Sequence, residues 1–197
     1  MKHYFKNDET PKRDRREITF RFFGRSYHFV TDSGVFAKSK VDYGSQLLLE
    51  ELVKTDLKGS FCDFGSGSGV IGIVLAKHLN LDVVAVDVNQ RALDLCEMNA
   101  KLNQVTIKTI YSTGNLKLDN LVDTIALNPP IKAGKAIIYQ MFQEAKDWLN
   151  PNGRFFIVMR KDHGAKSAIA KLQEIFSNVE ILRRSKGFWI ILAYNRV

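Results

Sequence analysis

Two short segments of this 197-residue chain carry groups that could do chemistry. The first is a glycine-rich loop at residues 63–69, with the sequence DFGSGSG, and the second is an Asn-Pro-Pro run at residues 128–130. Glycine loops hold many ligands, and Asn-Pro-Pro also suits a turn after a strand, so neither segment is specific alone. Their order, separation and strand context together predict methyl transfer to an amine.

The Asn-Pro-Pro run offers what an aromatic exocyclic amine needs in order to react. The lone pair of such an amine is delocalised into the ring, which makes the nitrogen a poor nucleophile. Two acceptors aimed at its N–H bonds, the Asn128 side-chain oxygen and the Pro129 carbonyl, would favour a pyramidal nitrogen and stabilise its developing positive charge. The prolines stiffen this geometry, and in-line placement supplies the rest by proximity. We predict Asn128, Pro129 and Pro130 as catalytic residues, with a strand-ending turn as the alternative.

The glycine loop predicts a cofactor site. Its glycines let the backbone approach a ligand, whose polar atoms then meet N–H groups at the following helix N-terminus. Asp87, 18 residues after Gly69, is placed to accept hydrogen bonds from both hydroxyls of a ribose. Asp63 would repel a pyrophosphate but suits the ammonium and sulfonium groups of S-adenosylmethionine. We therefore predict that cofactor, with a ligand-free strand-to-helix turn as the alternative.

A competing pattern lies in the same loop. Residues 67–72, GSGVIG, satisfy the Gly-x-Gly-x-x-Gly pattern of dinucleotide sites. The pattern starts too late, because Gly65 occupies the position directly after the strand and Gly72 falls one turn into the helix. An NAD-binding oxidoreductase is therefore the second choice for the loop. The histidines are scattered and there is no Cys-x-x-Cys pair, so the sequence does not predict a metal site. There is no Gly-x-Ser-x-Gly pattern, so it does not predict a hydrolase.

The segments that must position these residues alternate between strand and helix patterns. Predicted strands cover residues 60–64, 82–87, 105–111, 122–127, 154–159, 179–182 and 188–194, and predicted helices cover residues 45–54, 70–79, 90–102, 135–149 and 165–176. This alternation predicts a doubly wound, Rossmann-like α/β fold with a mostly parallel sheet. Residues 183–187 are too few for a crossover, so the last strand should be antiparallel. Gly65, Asp87 and Asn128 all fall at carboxyl ends of strands, where such sheets bind ligands.

The net charge of +8 is concentrated at the two ends of the chain. Residues 1–40 hold ten Lys/Arg and five Asp/Glu, and residues 160–197 hold eight and three, so the middle is slightly acidic. Alternating hydrophobic residues predict a β-hairpin turning at residues 23–25. We predict a basic, aromatic extension at 1–40 packed on a core domain at 41–197. The basic ends favour RNA binding, with a solvated basic surface as the alternative.

Composition also bounds the location of the protein. The chain shows no apolar run of signal-peptide type and none long enough to span a bilayer, which predicts a soluble, cytoplasmic protein without a membrane partner. Its two cysteines, Cys62 and Cys96, fall in a predicted strand and a predicted helix. We expect both to be reduced thiols of the core.

Four further motifs resemble the class I S-adenosylmethionine-dependent methyltransferases, and within them the bacterial small-subunit (16S) ribosomal RNA guanine-N2 methyltransferases. They are TDSGVF at 31–36, VDYGS at 41–45, DVN at 87–89 and NPPIKAGK at 128–135, so the resemblance covers nearly the whole chain. The chain looks like the short, single-domain form of that family. The resemblance implies seven strands with the last antiparallel, and ribosomal RNA or the small ribosomal subunit as the partner.

Two departures from the family pattern affect the expected site. An acidic residue commonly follows the third strand to bind adenine, whereas this chain has Ser112 and Thr113. An aromatic residue often follows the two prolines, whereas this chain has Ile131, so Phe36 is our hypothesis for the stacking surface, with a role in the core as the alternative. The expected cofactor-binding residues are Asp63, Gly65, Ser66, Gly67, Gly69, Asp87, Val88, Ser112, Thr113 and Asn128. The expected substrate-binding residues are Phe36, Ile131, Lys132, Lys135, Arg160 and Lys161.

The sequence thus predicts a guanine-N2 methyltransferase of 16S ribosomal RNA. A protein glutamine-amide methyltransferase or another N-methyltransferase shares the need for two acceptors and remains an alternative. A non-catalytic RNA-binding module is a third possibility. The basic ends of the chain favour RNA over protein as the substrate.

Overall fold

The computed structural model describes residues 15–32 and 40–195. Strands and helices alternate from residue 43 onward, as the sequence pattern predicts. The strands are β1 Arg16–Phe22, β2 Arg25–Thr31, β3 Ser60–Phe64, β4 Asp82–Asp87, β5 Lys108–Tyr111, β6 Val122–Leu127, β7 Leu149–Arg160, β8 Asn178–Ser185 and β9 Phe188–Tyr194. The helices are α1 Tyr43–Leu52, α2 Val70–Leu79, α3 Gln90–Leu102, α4 Lys135–Trp148 and α5 Ala165–Ile175, with 3-10 turns at Ile131–Ala133 and Lys161–His163.

Seven strands form one sheet in the order β5-β4-β3-β6-β7-β9-β8. Pairs from β5 to β7 are parallel, and β9 is antiparallel to both β7 and β8. The predicted seven-stranded α/β fold with an antiparallel last strand is therefore confirmed. The last strand lies inside the sheet, and β8 forms the edge.

Several boundaries differ from the predicted ones. β5 begins at Lys108 instead of residue 105, and α1 begins at Tyr43 because Asp42 caps it. β7 begins at Leu149 instead of residue 154, and residues 150–153 form an irregularity within that strand: Leu149 pairs with Val122 and Arg154 with Thr124. β7 has three more residues than β6 across this stretch, and the parallel pairing is regular from Arg154 to Ile157.

Hydrophobic side chains fill both faces of the sheet. Phe156 and Val158 of β7 face α1, α2 and the β1–β2 hairpin, and Phe155 and Ile157 face α4 and α5. Burial of each such side chain contributes about 1.5–3 kcal/mol relative to its exposure. Both cysteines are free and buried, as expected. Among the described residues, no helix is long and apolar enough to cross a membrane.

The predicted N-terminal hairpin forms from β1 and β2. Phe23 and Gly24 make its turn with φ of 45° and 75°, and Tyr27 and Phe29 are buried in the core. The outer edge of β2 is closed by two amide side chains, one from α3 and one from Asn103, the residue that follows α3. Asn99 bonds to both the N–H and the carbonyl of Val30, and Asn103 does the same for His28. These amides satisfy backbone groups that a strand edge would otherwise leave unpaired.

Candidate active site

Strand register brings three of the predicted site residues into one row. Phe64, at the end of β3, pairs with Val86 of β4 and with Leu127 of β6. The residues that follow these three are adjacent at the carboxyl edge of the sheet: Gly65, Asp87 and Asn128. Neighbouring strands lie about 4.8 Å apart, so the row spans roughly 10 Å. This is the edge at which doubly wound sheets bind ligands.

The glycine loop is tied to β4 and packed on α3. The N–H groups of Gly65 and Ser66 both donate to the Val86 carbonyl, at 2.8 and 3.1 Å. Gly69 has φ of 84°, and a Cβ at this position would overlap the Cys96 sulfur. Only glycine allows this close approach in a left-handed backbone conformation. The sequence of the loop therefore fixes its path over α3.

Asp63 lies buried beneath the loop, with 2% of its surface exposed. Its Oδ2 accepts a hydrogen bond from the Gly72 N–H at 2.8 Å, so it caps the first turn of α2 from the preceding strand. Burial raises the pKa of Asp63 to about 7; the Gly72 bond opposes the rise and the Asp87 carboxylate adds to it. A Cβ at Gly72 would lie 3.1 Å from that oxygen, which accounts for the glycine without a dinucleotide.

Asp87 is half-buried, and both of its carboxylate oxygens receive main-chain hydrogen bonds. Oδ2 accepts from the Gly67 N–H at 2.8 Å and Oδ1 from the Asn89 N–H at 2.9 Å. Burial raises the pKa of Asp87, and these bonds partly offset the rise. A carboxylate has about four acceptor sites, so this fixed group retains room for the two hydroxyls of a ribose.

The surroundings of the row fit a nucleoside with an amino-acid arm. The Ser66 hydroxyl is buried without a hydrogen-bond partner among the described residues, and a Cβ at Gly67 would meet nothing within 4 Å. Val88 exposes 42% of its surface beside Asp87 and offers an apolar face. Ser112 donates its N–H to the Asp87 carbonyl, and its hydroxyl accepts from the Gly114 N–H. Thr113 is exposed at the same strand end.

The amide of Asn128 has a single chemically reasonable orientation. Its Nδ2 donates to Asp42 Oδ1 at 3.2 Å and to Ser45 Oγ at 3.0 Å. A carboxylate cannot donate, so the NH₂ group and not the oxygen must face Asp42. Asp42 is held in turn, because the same oxygen caps α1 by accepting from the Ser45 N–H at 3.0 Å. Both amide hydrogens are thus used, and the side-chain oxygen is left as an acceptor.

The two prolines form a rigid turn after Asn128. Pro129 is buried and Pro130 is exposed. The Ala133 N–H donates to the Pro130 carbonyl at 2.8 Å, so the Pro129 carbonyl is not the acceptor of this turn. This arrangement is compatible with the predicted second acceptor.

The predicted substrate-binding residues fall around the same edge. Lys132 and Lys135 are exposed on the turn and at the start of α4, and Ile131 is half-buried. A Cβ at Gly164 would lie 3.9 Å from the Lys135 side chain, so the start of α4 adjoins the segment that carries the exposed Arg160 and Lys161. Phe36 lies outside the described residues.

Comparison with known proteins decides the family. The profile of the "Methyltransferase small domain" matches residues 26–192. The chain belongs to this methyltransferase family. The predicted resemblance to class I methyltransferases is thereby confirmed.

The relatives that match this chain include proteins of similar length and proteins about twice as long, here called the short and the long form. "Uncharacterized protein YbxB" of Bacillus subtilis is 35% identical over 195 residues, 97% of each chain. "Ribosomal RNA small subunit methyltransferase C" of Shewanella loihica is 36% identical over 162 residues, 80% of this chain and 46% of the relative. This chain thus spans about half the length of that named relative.

A solved structure of the long form has the same fold. It is the T. thermophilus 16S rRNA N2 G1207 methyltransferase (RsmC) in complex with AdoMet and guanosine. The TM-score is 0.84 at 26% identity, over 96% of this chain and 52% of the other. The structural match therefore extends over almost all of this methyltransferase small domain.

Sequence reasoning missed two members of the site in this methyltransferase. Asp42 and Ser45 fall in the VDYGS motif but were not among the predicted site residues, yet both hold the Asn128 amide. An available signal was chemical: an asparagine that acts as an acceptor needs a partner for its NH₂ group. The cap of α1 supplies that partner in the carboxylate of Asp42.

Proposed function

We propose that this chain transfers a methyl group from S-adenosylmethionine to the exocyclic N2 of guanine in small-subunit ribosomal RNA. The observation that carries the proposal is the orientation of the Asn128 amide, which presents an acceptor beside the glycine loop. The names of the Shewanella and T. thermophilus relatives support guanine N2 and ribosomal RNA.

Asn128 and Pro129 act on the target amine in this proposal. The Asn128 oxygen and the Pro129 carbonyl accept hydrogen bonds from the two N–H groups of the amine. The nitrogen then becomes pyramidal, and its lone pair is available for attack. The same acceptors stabilise the positive charge that builds on nitrogen. Because Asp42 and Ser45 already orient the amide, no reorganisation is needed during the reaction.

The cofactor-binding residues are proposed to be those of the glycine loop and Asp87. The cofactor, when bound, supplies an electrophilic methyl group on a sulfonium. Asp87 receives the ribose hydroxyls, the unpaired Ser66 hydroxyl holds the amino-acid arm, and Val88 packs on the adenine. Ser112 and Thr113 contact the adenine edge. The buried carboxylate of Asp63 favours the cationic end of the cofactor.

The target base must leave its stack before it reaches Asn128. The N2 amine of a paired guanine is occupied by pairing, so the substrate is either unpaired or extruded. Exposed Lys132, Lys135, Arg160 and Lys161 are proposed to contact phosphates and position the strand. These cations fix register and do not read sequence.

The experiment is methyl transfer from isotope-labelled S-adenosylmethionine to 16S ribosomal RNA and, in parallel, to ribosomal proteins, followed by digestion and mass identification of the labelled nucleoside or amino acid. The proposal predicts N2-methylguanosine. Label on another nucleoside would refute the target atom. Label on a glutamine amide of ribosomal protein, with none on RNA, would favour the protein substrate, because the same two acceptors suit that amide.

A further inference from the structure

An aromatic pair lies beside the group that orients Asn128. Tyr43 directly follows Asp42, and its ring meets the ring of Phe188 edge-on, with centroids 5.6 Å apart and an interplanar angle of 63°. The Tyr43 hydroxyl lies 2.8 Å from Ser185 Oγ, which ties α1 to the β8–β9 hairpin. Both rings are half-buried and so are held by packing.

Each ring of this pair carries a cation. The Arg160 guanidinium lies 5.4 Å from the centroid of Phe188, and Lys186 Nζ lies 4.9 Å from the centroid of Tyr43. Both cations are exposed. We call these four residues the Tyr43–Phe188 surface. A cationic side chain that is held on a ring has fewer accessible rotamers. It therefore loses less side-chain entropy when it binds an anion.

Neither cation of this surface, Arg160 or Lys186, takes part in an ion pair within residues 15–32 and 40–195. By contrast, Arg183 on the neighbouring strand is bridged to Glu50 at 2.8 Å and to Glu51 at 3.8 Å. The N–H of exposed Lys161 donates to the Gly187 carbonyl at 2.8 Å, which brings a third cation to the same hairpin turn. Exposed Asp162 is the acidic neighbour in that segment.

We propose that the Tyr43–Phe188 surface binds the RNA strand that flanks the target nucleotide. Arg160 and Lys186 contact phosphates, and the guanidinium plane of Arg160, held on the Phe188 ring, offers a surface on which an unpaired base stacks. Positive charge together with a planar stacking surface suits a nucleic acid better than an acidic peptide, which has no bases to stack. This inference rests on the proposed function and adds Tyr43, Lys186 and Phe188 to the substrate site.

The test compares the salt dependence of binding to in vitro transcribed 16S ribosomal RNA. The variant is Arg160→Gln with Lys186→Gln, which removes both cations and leaves the rings. The matched control is Lys146→Gln, because Lys146 Nζ also lies over a ring, 5.3 Å from the Phe176 centroid, but near the far end of α4. Affinity for S-adenosylhomocysteine and the thermal midpoint establish that each variant is folded.

The salt slope is the slope of the logarithm of the binding constant against the logarithm of the salt concentration. Two lost phosphate contacts should lower its magnitude by about 1.4–1.8, since each contact contributes about 0.7–0.9. At about 0.15 M salt this corresponds to a Kd roughly 15- to 30-fold higher. The control should match the wild type. An unchanged slope in the double variant, or an equal loss in Lys146→Gln, would overturn the proposal. An equal loss of affinity for poly-glutamate would assign the surface to acidic proteins instead.

The outcome is separable from that of the proposed function. If the wild type binds RNA with a slope that the double variant lacks, yet makes no methylated guanine, the surface is supported and the proposed reaction fails. If N2-methylguanosine forms and the double variant keeps the wild-type slope, the reaction stands and the surface proposal fails.

Discussion

Replacement of Asp42 tests whether the cap of α1 orients the amide of Asn128, the proposed acceptor for the target amine. In Asp42→Ala, α1 loses its cap and Asn128 loses the hydrogen bond at 3.2 Å. The cap is worth about 1 kcal/mol and the side-chain bond about 1 kcal/mol, so the free energy of unfolding should fall by about 2 kcal/mol. For a chain of this size that corresponds to a thermal midpoint about 4–8 °C lower.

The effect on the rate should exceed what lost stability explains. Asn128 then keeps only its bond to Ser45, so its oxygen is no longer fixed toward the amine. Complete removal of such an acceptor costs about 10²–10³-fold in kcat, and we expect about tenfold for lost orientation. Asp42→Asn should retain the rate within about threefold, because its amide oxygen can still accept both hydrogen bonds.

Asp123→Ala is the matched control. Asp123 also accepts from a main-chain N–H, that of Ser60 at 2.9 Å, and from a side-chain amide, that of Asn150 at 2.8 Å, but at the opposite edge of the sheet. It should lower the thermal midpoint without slowing catalysis. The assay is single-turnover methyl transfer to 16S ribosomal RNA at a temperature where all variants are folded. Equal rates for Asp42→Ala and Asp123→Ala would refute the positioning role.

Three further predictions concern stability. Because the pKa of Asp63 is raised to about 7, the stability that protonated Asp63 contributes should be fully present below about pH 4 and should be lost as the pH rises through 7. Asp63→Asn, compared with the wild type by urea unfolding at about pH 5 and pH 8, should lack this fall. Gly69→Ala should cost roughly 2–4 kcal/mol from its φ of 84° and its overlap with Cys96, and adding Cys96→Ala should recover part of that loss; full additivity would contradict the packing argument. Asn99→Ala leaves both polar groups of Val30 unpaired and should cost roughly 2–4 kcal/mol, with faster hydrogen exchange at that amide; unchanged exchange would show that the hairpin does not depend on Asn99.

The sequence predicted the row of candidate site residues because local patterns locate the ends of the strands, and alternating strands and helices form a parallel sheet. Once Gly65, Asp87 and Asn128 are placed directly after strands, a parallel sheet must bring them to one edge. The hairpin followed from period-two alternation, and its buried Tyr27 and Phe29 lie where that pattern puts them.

Other features depend on tertiary packing and could not be predicted from the pattern. The contact of Asn128 with Asp42 joins residues 86 positions apart, and nothing in either segment specifies how α1 lies on the sheet. The carboxylate of Asp63 turns toward α2, which the loop motif alone does not reveal. β7 starts early because Leu149 finds a partner in Val122 across an irregular stretch. Such pairings are decided by the assembled core.

The most direct test of the central claim measures cofactor binding and chemistry separately in the wild type and Asn128→Ala. Calorimetric titration with S-adenosylhomocysteine, with NAD as the control ligand, gives the first quantity, and single-turnover methyl transfer to 16S ribosomal RNA gives the second. The account predicts similar S-adenosylhomocysteine affinity, no NAD binding, and a rate about 10²–10³-fold lower in the variant. A near-normal rate in Asn128→Ala, or binding of NAD alone by the wild type, would contradict it.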